Sequence, residues 1–280
     1  MRKGHRMTQG QQAVPALTQD VRLSVLMIVQ DEVNRVEAAI RSVASFADEV
    51  VVVDGGSQDD TVDLCRSLGC RVLENPWPGY AQQRQYALAA ARGEWVFFLD
   101  ADEVVSPELA KDVRRVIEMS GASTGYAVTR VGDFFGRWVG PDEQLRMCRR
   151  DEAHILDVLV HEHLSVPARA TGHLDGKLWH YGFRSVSDHV KRFDRYTTLE
   201  AEAARRAGRR FALKRLVLRP PAHFVLEYAV RGLHRRGVPG LAVALFWFLY
   251  DVLVELKVYE LEWQAGGGVH QGERGSRRWR

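Results

Sequence analysis

Short apolar runs alternate with segments of helical spacing along the first hundred residues. Residues 23–29 (LSVLMIV), 49–53, 71–73 and 95–99 (WVFFL) read as strands. The first and last are apolar enough to be buried on both faces, as inner strands of a parallel sheet are. Between the first two, Val33, Val36, Ile40, Val43 and Ala47 recur at three- and four-residue steps, one face of a helix. Asp59-Asp60-Thr61 opens a second helix to about Leu68, because acidic and hydroxyl side chains suit a helix N-terminus. Asn75-Pro76-Trp77-Pro78-Gly79 breaks either period, and a third helix spans 81–92. The order β-α-β-α-β-α-β predicts a parallel, doubly wound sheet.

Further on, the pattern predicts a helix over 107–119 with Ser106 before it, and strands over 126–131, 145–149, 158–164 and 177–181. The aromatic, glycine-rich segment 134–142 (FFGRWVGPD) reads as a loop, a wall or lid over a site. From Ser185 the chain turns helical: Val186, Val190, Phe193, Thr197 and Ala201 keep helical spacing to about residue 207. Pro220-Pro221 is expected to interrupt, with helices over 223–236 and 241–263 separated by Gly237-Val238-Pro239-Gly240.

Charge sharpens this division. The net charge is +3 over 280 residues. Residues 1–183 carry 20 Lys/Arg against 26 Asp/Glu, and residues 184–280 carry 19 against 10. The basic third faces an anionic surface, lipid or nucleic acid. Its basic stretch is followed by long apolar segments, not by aromatics interleaved with basic residues, which disfavours nucleic acid. The run LAVALFWFLY at 241–250 falls short of the ~18 uncharged residues of a spanning helix, with Asp251 and Glu255 following. It reads as a helix in the membrane interface, against the alternative of an ordinary helical core with a charged face. Cys65, Cys70 and Cys148 lack zinc-site spacing and fit a reducing compartment. The expected organisation is a polar leader over 1–20, an α/β domain over 21–183, a basic helical region over 184–264 and a basic tail over 265–280.

The candidate chemistry gathers where strands end: Asp31 and Glu32 after the first, Asp54 after the second, Asp100 and Asp102 after the fourth. Side chains two apart in an extended segment leave on one side, so Asp100 and Asp102 are expected to point together at the carboxyl edge, where open α/β sheets bind ligands. Mg²⁺ bridging to a diphosphate suits such a pair; a solvated helix entry is the plainer alternative. QDEVNR after the first strand lacks the GxGxxG of dinucleotide sites, and no P-loop is present. His161 and His163 lack a third zinc ligand at suitable spacing.

VLMIVQDE, VVVDGGSQDDT and QQRQYALAAARGEWVFFLDADE, in that order, resemble the N-terminal half of family 2 glycosyltransferases, inverting enzymes of the GT-A fold that use nucleotide-sugar donors. GRWVGPDEQLRMCRRD, VHEHL and LWHYGFRSVSDHVKR are similar to the bacterial subgroup that includes lipopolysaccharide core β-1,4-glucosyltransferases. The resemblance implies a Rossmann-like mixed sheet flanked by helices. It also implies donor contacts from Asp31, Glu32, Asp54 (to the base), Arg84 and Asp100. Asp102 would be the main ligand of a Mg²⁺ or Mn²⁺ ion, with Asp100 beside it, and Arg146 and His161 would lie on the acceptor side. Asp31 stands where the family has Asn, and Met147-Cys148 replaces an aliphatic-aromatic pair. Inverting transfer needs a base for the acceptor hydroxyl, and Glu162 is the candidate; an ion pair with Arg149 or Arg150 is its plain alternative. Glu103 reads as a favourable charge near the following helix. The expected acceptor is a lipid-linked glycan at the cytoplasmic face of the inner membrane. A nucleotidyltransferase and a non-catalytic membrane scaffold are the rival classes.

Overall fold

A computed structural model of the chain describes residues 21–119, 123–156, 163–166, 171–183 and 185–266. Strands β1 (Leu23–Val29), β2 (Glu49–Asp54), β3 (Arg71–Glu74) and β4 (Trp95–Phe98) are linked by helices α1 (Val36–Val43), α2 (Thr61–Ser67) and α3 (Tyr80–Ala90). They pair in parallel in the order β3-β2-β1-β4. Trp95, Val96, Phe97 and Phe98 are all buried, as their uncharged run demands of an inner strand. β1 and β4 supply residues to both apolar layers of the sheet, with α1 over one face and α3 over the other.

The second half makes the sheet mixed. β5 (Glu103–Val105) and α4 (Pro107–Glu118) lead into β6 (Gly125–Phe134), β7 (Arg137–Arg149) and β10 (Thr171–His180). The full order is β3-β2-β1-β4-β7-β6-β10-β5, with β7 antiparallel to β4 and β6, and β5 antiparallel to β10. β8 (His154–Leu156) and β9 (His163–Ser165) form a separate two-stranded ladder. Segment 134–142 is therefore a hairpin rather than a loop: β6 turns at Phe135-Gly136, both left-handed (φ 52° and 69°), and Arg137 onward pairs back along β6. Ser106 caps α4 as expected, accepting from the Leu109 N–H at 3.2 Å. Its hydroxyl also accepts from Lys177 N at 3.0 Å, at a register shift in β10. Gly176 lies in that shift because a Cβ there would stand 2.1 Å from the Leu109 amide nitrogen. The start of α4 is thereby pinned to β10, the partner of the short strand β5 that follows Asp100 and Asp102.

Glu49 ties the opposite edge together. Its carboxylate accepts from Ser24 Oγ (2.6 Å), Arg92 N (2.8 Å) and Arg71 Nη2 (3.1 Å). Burial alone would raise its pKa, but the Ser24, Arg92 and Arg71 contacts outweigh burial and hold it below the usual range. A lowered carboxylate pKa stabilises the fold above the unfolded value, and that contribution fades as pH falls through the folded value. Glu49→Gln should therefore cost about 2 kcal/mol near pH 7 and less near pH 3, measured by urea unfolding at both pH values. An equal cost at both would refute the linkage.

The C-terminal helices depart furthest from the pattern. α5 (Val186–Arg206) begins where the helical spacing predicts, and the Ser185 side chain caps it by accepting from Asp188 N. α6 (Leu213–Val225) runs through Pro220 and Pro221, a correction to the expected break. Each proline removes a helical N–H and costs ~3 kcal/mol, but α7 (Gly237–Ala265) holds α6 on both sides of them. Arg215 contacts Glu255, while Arg219 and His223 contact Asp251; these are helical steps of four on each partner. The expected helix over 223–236 is instead a π turn (Leu226–Val230) and a 3₁₀ turn (Leu233–Arg236), broken at left-handed Gly232. Gly237 already belongs to α7, so no linker precedes the apolar run. By length and composition alone, Leu233–Ala265 is long and apolar enough to cross a membrane. Asp251 and Glu255, however, are buried against α6.

Candidate active site

Asp100 O accepts from Glu103 N at 3.0 Å. That bond makes residues 100–103 a turn and removes the extended geometry in which side chains two apart share a side. Asp100 faces a cleft of about 1210 Å³, and Asp102 opens on a smaller cavity of about 430 Å³. The expectation that both carboxylates aim at one point is corrected by this turn. Arg84 Nη2 donates to Asp100 Oδ1 (2.6 Å) and Arg146 Nη2 to Asp100 Oδ2 (3.1 Å). Asp102 Oδ2 accepts from Arg35 Nη1 at 3.1 Å and lies 3.5 Å from His180 Nε2.

Glu103, read from sequence as a helix-end charge, is the buried centre of this corner. It is fully buried, with Arg146 Nη2 at 2.5 Å and Arg130 Nη1 at 3.7 Å. Asp100 N donates to its other oxygen at 3.0 Å. Burial would raise the pKa of Asp100, yet Arg84, Arg146 and Arg130 hold it well below the carboxylate range. For Glu103, burial and then the Asp100 charge outweigh Arg146, so its pKa lies above the usual value. Burial pulls the His180 pKa down, but the Asp102 contact more than restores it and the net shift is upward. Arg146 is itself buried and its Nε has no hydrogen-bond partner. It lines the cleft, but its guanidinium is committed to the Asp100–Glu103 turn.

The other acidic strand ends organise loops. Asp54 is buried and accepts from Gly56 N (2.8 Å), Ser57 N (3.0 Å) and Ser57 Oγ (2.5 Å). Asp31, left-handed at φ 55°, accepts from Gln58 N at 2.7 Å. Glu32 N donates to Thr61 Oγ1 (2.8 Å), and the Glu32 carboxylate pairs with Arg35 Nε (3.1 Å). Asp31, Glu32 and Asp54 thus rim one loop system, whose Gly55 lies directly under the Trp77 ring.

Glu162 and His161 lie outside the described residues. Leu164, two residues beyond Glu162 and within β9, lines the large cleft. Both arginines offered as plain partners for Glu162 are engaged elsewhere. Arg149 pairs with Glu94 and lies 4.2 Å from the Trp95 ring centroid, and Arg150 pairs with Asp151 at 3.1 Å.

Sequence reasoning missed Arg35, Arg130 and His180. Arg35 stands in a polar turn and Arg130 in an apolar strand run, each a single basic residue with nothing local to mark it. His180 ends a strand beside aromatics and glycine, LWHYGF, the same position that drew attention to Asp100. Among the described residues no three His, Cys, Asp or Glu side chains converge as a metal site. The available donor set is Asp102 with His180 beside it. One carboxylate and one imidazole fit a divalent ion that takes its remaining ligands from water and phosphate.

The family model for glycosyl transferase family 2 matches residues 24–163, half of the chain. The lipopolysaccharide core biosynthesis glycosyltransferase LpsC of Rhizobium meliloti (strain 1021) is 29% identical over 249 residues, covering 85% of this chain and 92% of LpsC. The uncharacterized glycosyltransferase RP128 of Rickettsia prowazekii (strain Madrid E) is 28% identical over 258 residues, covering 86% and 87%. Among solved structures, S. aureus TarS 1–349 in complex with UDP-GlcNAc is similar at TM-score 0.48 and 16% identity, covering 89% of this chain and 93% of that one. Glucosyl-3-phosphoglycerate synthase from Mycobacterium tuberculosis with Mn²⁺ and UDP-Glc gives TM-score 0.45 and 18% identity, covering 68% and 80%.

Proposed function

Because the chain belongs to glycosyl transferase family 2, we propose that it moves a sugar, with inversion, from a UDP-sugar to a hydroxyl of a lipid-linked glycan such as the lipopolysaccharide core. The observation that carries this reading is the Asp100–Glu103 turn, set at the carboxyl end of β4 and opening on a cleft lined by Arg84, Arg130 and Arg146. The Asp100 carboxylate accepts hydrogen bonds from donor hydroxyls, and the guanidinium groups hold it in place and keep it ionised. The name of LpsC supplies the acceptor class.

In this scheme Asp31, Glu32 and Asp54 shape the nucleotide rim, and Asp100, oriented by Arg84 and Arg146, places the donor sugar. Asp102 and His180 would hold Mg²⁺ or Mn²⁺, which when bound supplies positive charge to the diphosphate. Glu162 takes the acceptor hydroxyl proton as the acceptor oxygen attacks the anomeric carbon and the nucleoside diphosphate leaves. Glu162→Gln should keep the thermal shift produced by UDP-sugars with Mn²⁺ and slow transfer at least about a hundredfold. An unchanged rate would remove Glu162 as the base. Failure of every UDP-sugar to stabilise the wild-type chain would count against the donor assignment.

With a lipid-anchored acceptor, the proposed working place of the enzyme is a membrane surface, the cytoplasmic face of the inner membrane. α7 exposes Val238, Leu241, Leu245 and Leu249, and α6 exposes Leu213, Val217 and Leu218, beside the exposed basic residues Arg210, Lys214, Arg235 and Arg236. Apolar side chains flanked by arginine suit an anionic bilayer surface. The full chain should float with anionic liposomes, and Leu241→Glu combined with Leu245→Glu should sink. Flotation of the double variant at the wild-type level would refute docking through this face.

A further inference from the structure

The cleft that begins at Asp100 ends on the helices, and its far wall has chemistry that the donor does not use. On α7, Trp247, Tyr250 and Asp251 share one helical face toward this space, and His223 and Arg219 of α6 meet them. His223 Nδ1 lies 2.7 Å from Asp251 Oδ2, and the His223 ring lies against Trp247 with centroids 5.2 Å apart. Asp251 is buried, yet its second oxygen, Oδ1, receives no hydrogen bond; Arg219 Nε stands 3.1 Å away without the right angle. Glu255, one turn along and equally buried, is by contrast satisfied from several sides, by Ala212 N at 2.8 Å and by Arg209 and Arg215. At Glu255 the clamp between α6 and α7 thus has hydrogen bonds on both oxygens, whereas at Asp251 one oxygen has an ion pair alone and keeps capacity to accept a further hydrogen bond.

We propose that this wall is the seat of the acceptor's sugar ring. Trp247, 40% exposed, presents a flat apolar surface to the C–H face of a pyranose, with its polar edge free for water. Asp251 Oδ1, held by Arg219 as an ion pair without a hydrogen bond, accepts from a ring hydroxyl while that pair stays in place, and Glu200, which accepts from the Tyr250 hydroxyl, offers its other oxygen on the same cleft. An apolar platform with a few convergent polar groups is the usual make-up of a small-molecule site. Size agrees: at about 1210 Å³ the cleft exceeds the roughly 300–1,000 Å³ of a pocket for one ligand, which leaves room for donor and acceptor together. Hydroxyl recognition is favoured over phosphate because the carboxylates Asp251 and Glu200 face the space, while Arg219 already stands at Asp251. The acceptor role rests on the glycosyltransferase reading; the sugar site itself does not.

The test is ligand-observed saturation-transfer NMR on the full chain, titrating methyl glycosides of glucose, galactose, mannose, N-acetylglucosamine and heptose, with and without UDP and Mn²⁺. The wild type should bind at least one glycoside, and UDP should not displace it. Trp247→Ala should weaken that binding at least tenfold and Asp251→Asn at least fivefold, both retaining the UDP-induced thermal shift. If Trp247→Ala lowers the melting temperature, Trp247→Phe decides, with an expected loss of about threefold. Absence of glycoside binding to the wild type, displacement by UDP, or unaltered affinity in the variants would overturn the seat. Glycoside binding without any response to UDP would leave the seat standing and sink the donor reading instead.

Discussion

Asp102→Ala should reduce metal-dependent sugar transfer by at least about a thousandfold while the chain stays folded. Charge neutralisation at a departing diphosphate is worth several kcal/mol at the transition state, and each 1.4 kcal/mol is about tenfold in rate. The fold should tolerate the change because the Asp102 carboxylate stands apart from the buried Glu103–Arg146 pair. It faces the smaller cavity, where Arg35 and His180 are its neighbours. The local backbone is held by its carbonyl, which accepts from Tyr181 N at 2.8 Å and survives truncation. The measurement is steady-state transfer against Mn²⁺ concentration, with a melting curve for each protein. A variant that keeps near-wild-type transfer and the same Mn²⁺ dependence would dismiss Asp102 as the ion's ligand. Addition of a chelator should bring the wild type down to the level of the variant.

The strands of the parallel half could be read from residues because burial on both faces leaves an uninterrupted apolar run. β1 and β4 have that character, and both occupy the centre of the sheet. β5 has three residues and was invisible, since its first is Glu103, a charge that Arg146, His180 and Arg130, far along the chain, help to offset. Segment 134–142 misled for a related reason: its aromatics and glycines were read as loop signals, but they lie on a hairpin where β7 shifts register against β6. Pro220-Pro221 failed as a break because α7 holds α6 through ion pairs on either side, a tertiary effect absent from local propensity. The family and the acidic strand ends were legible from motif order. What period-two reasoning at Asp100 and Asp102 missed was a single main-chain hydrogen bond that turns the strand end. Arg35, Arg130 and His180 come to the site from three other elements, so no local window contains them.

Arg146→Ala should lower stability by about 3–5 kcal/mol, the cost expected when one partner of a buried ion pair is removed. The Arg146 side chain is 6% exposed and serves two carboxylates at once, Glu103 and Asp100. Without it, Glu103 is left in the interior with His180 and Arg130, the latter at 3.7 Å, to offset its charge. Protonation of Glu103 is the available escape, so the loss should shrink as pH falls toward the carboxylate range, where taking up that proton costs less. Arg146→Lys should recover only part of the loss, since the shorter lysine side chain sets its ammonium short of the point from which Arg146 Nη2 serves both carboxylates. Urea unfolding midpoints at pH 7 and pH 5 for the three proteins give the comparison. A stability within about 1 kcal/mol of wild type for Arg146→Ala would mean that the pair is not the structural centre of the turn. Asp100 should also lose its orientation in that variant, so UDP-sugar affinity should fall even where the protein remains folded. In Asp102→Ala the fold and the Asp100–Arg84 contact stay intact, which separates a residue that supports the site from one that acts within it.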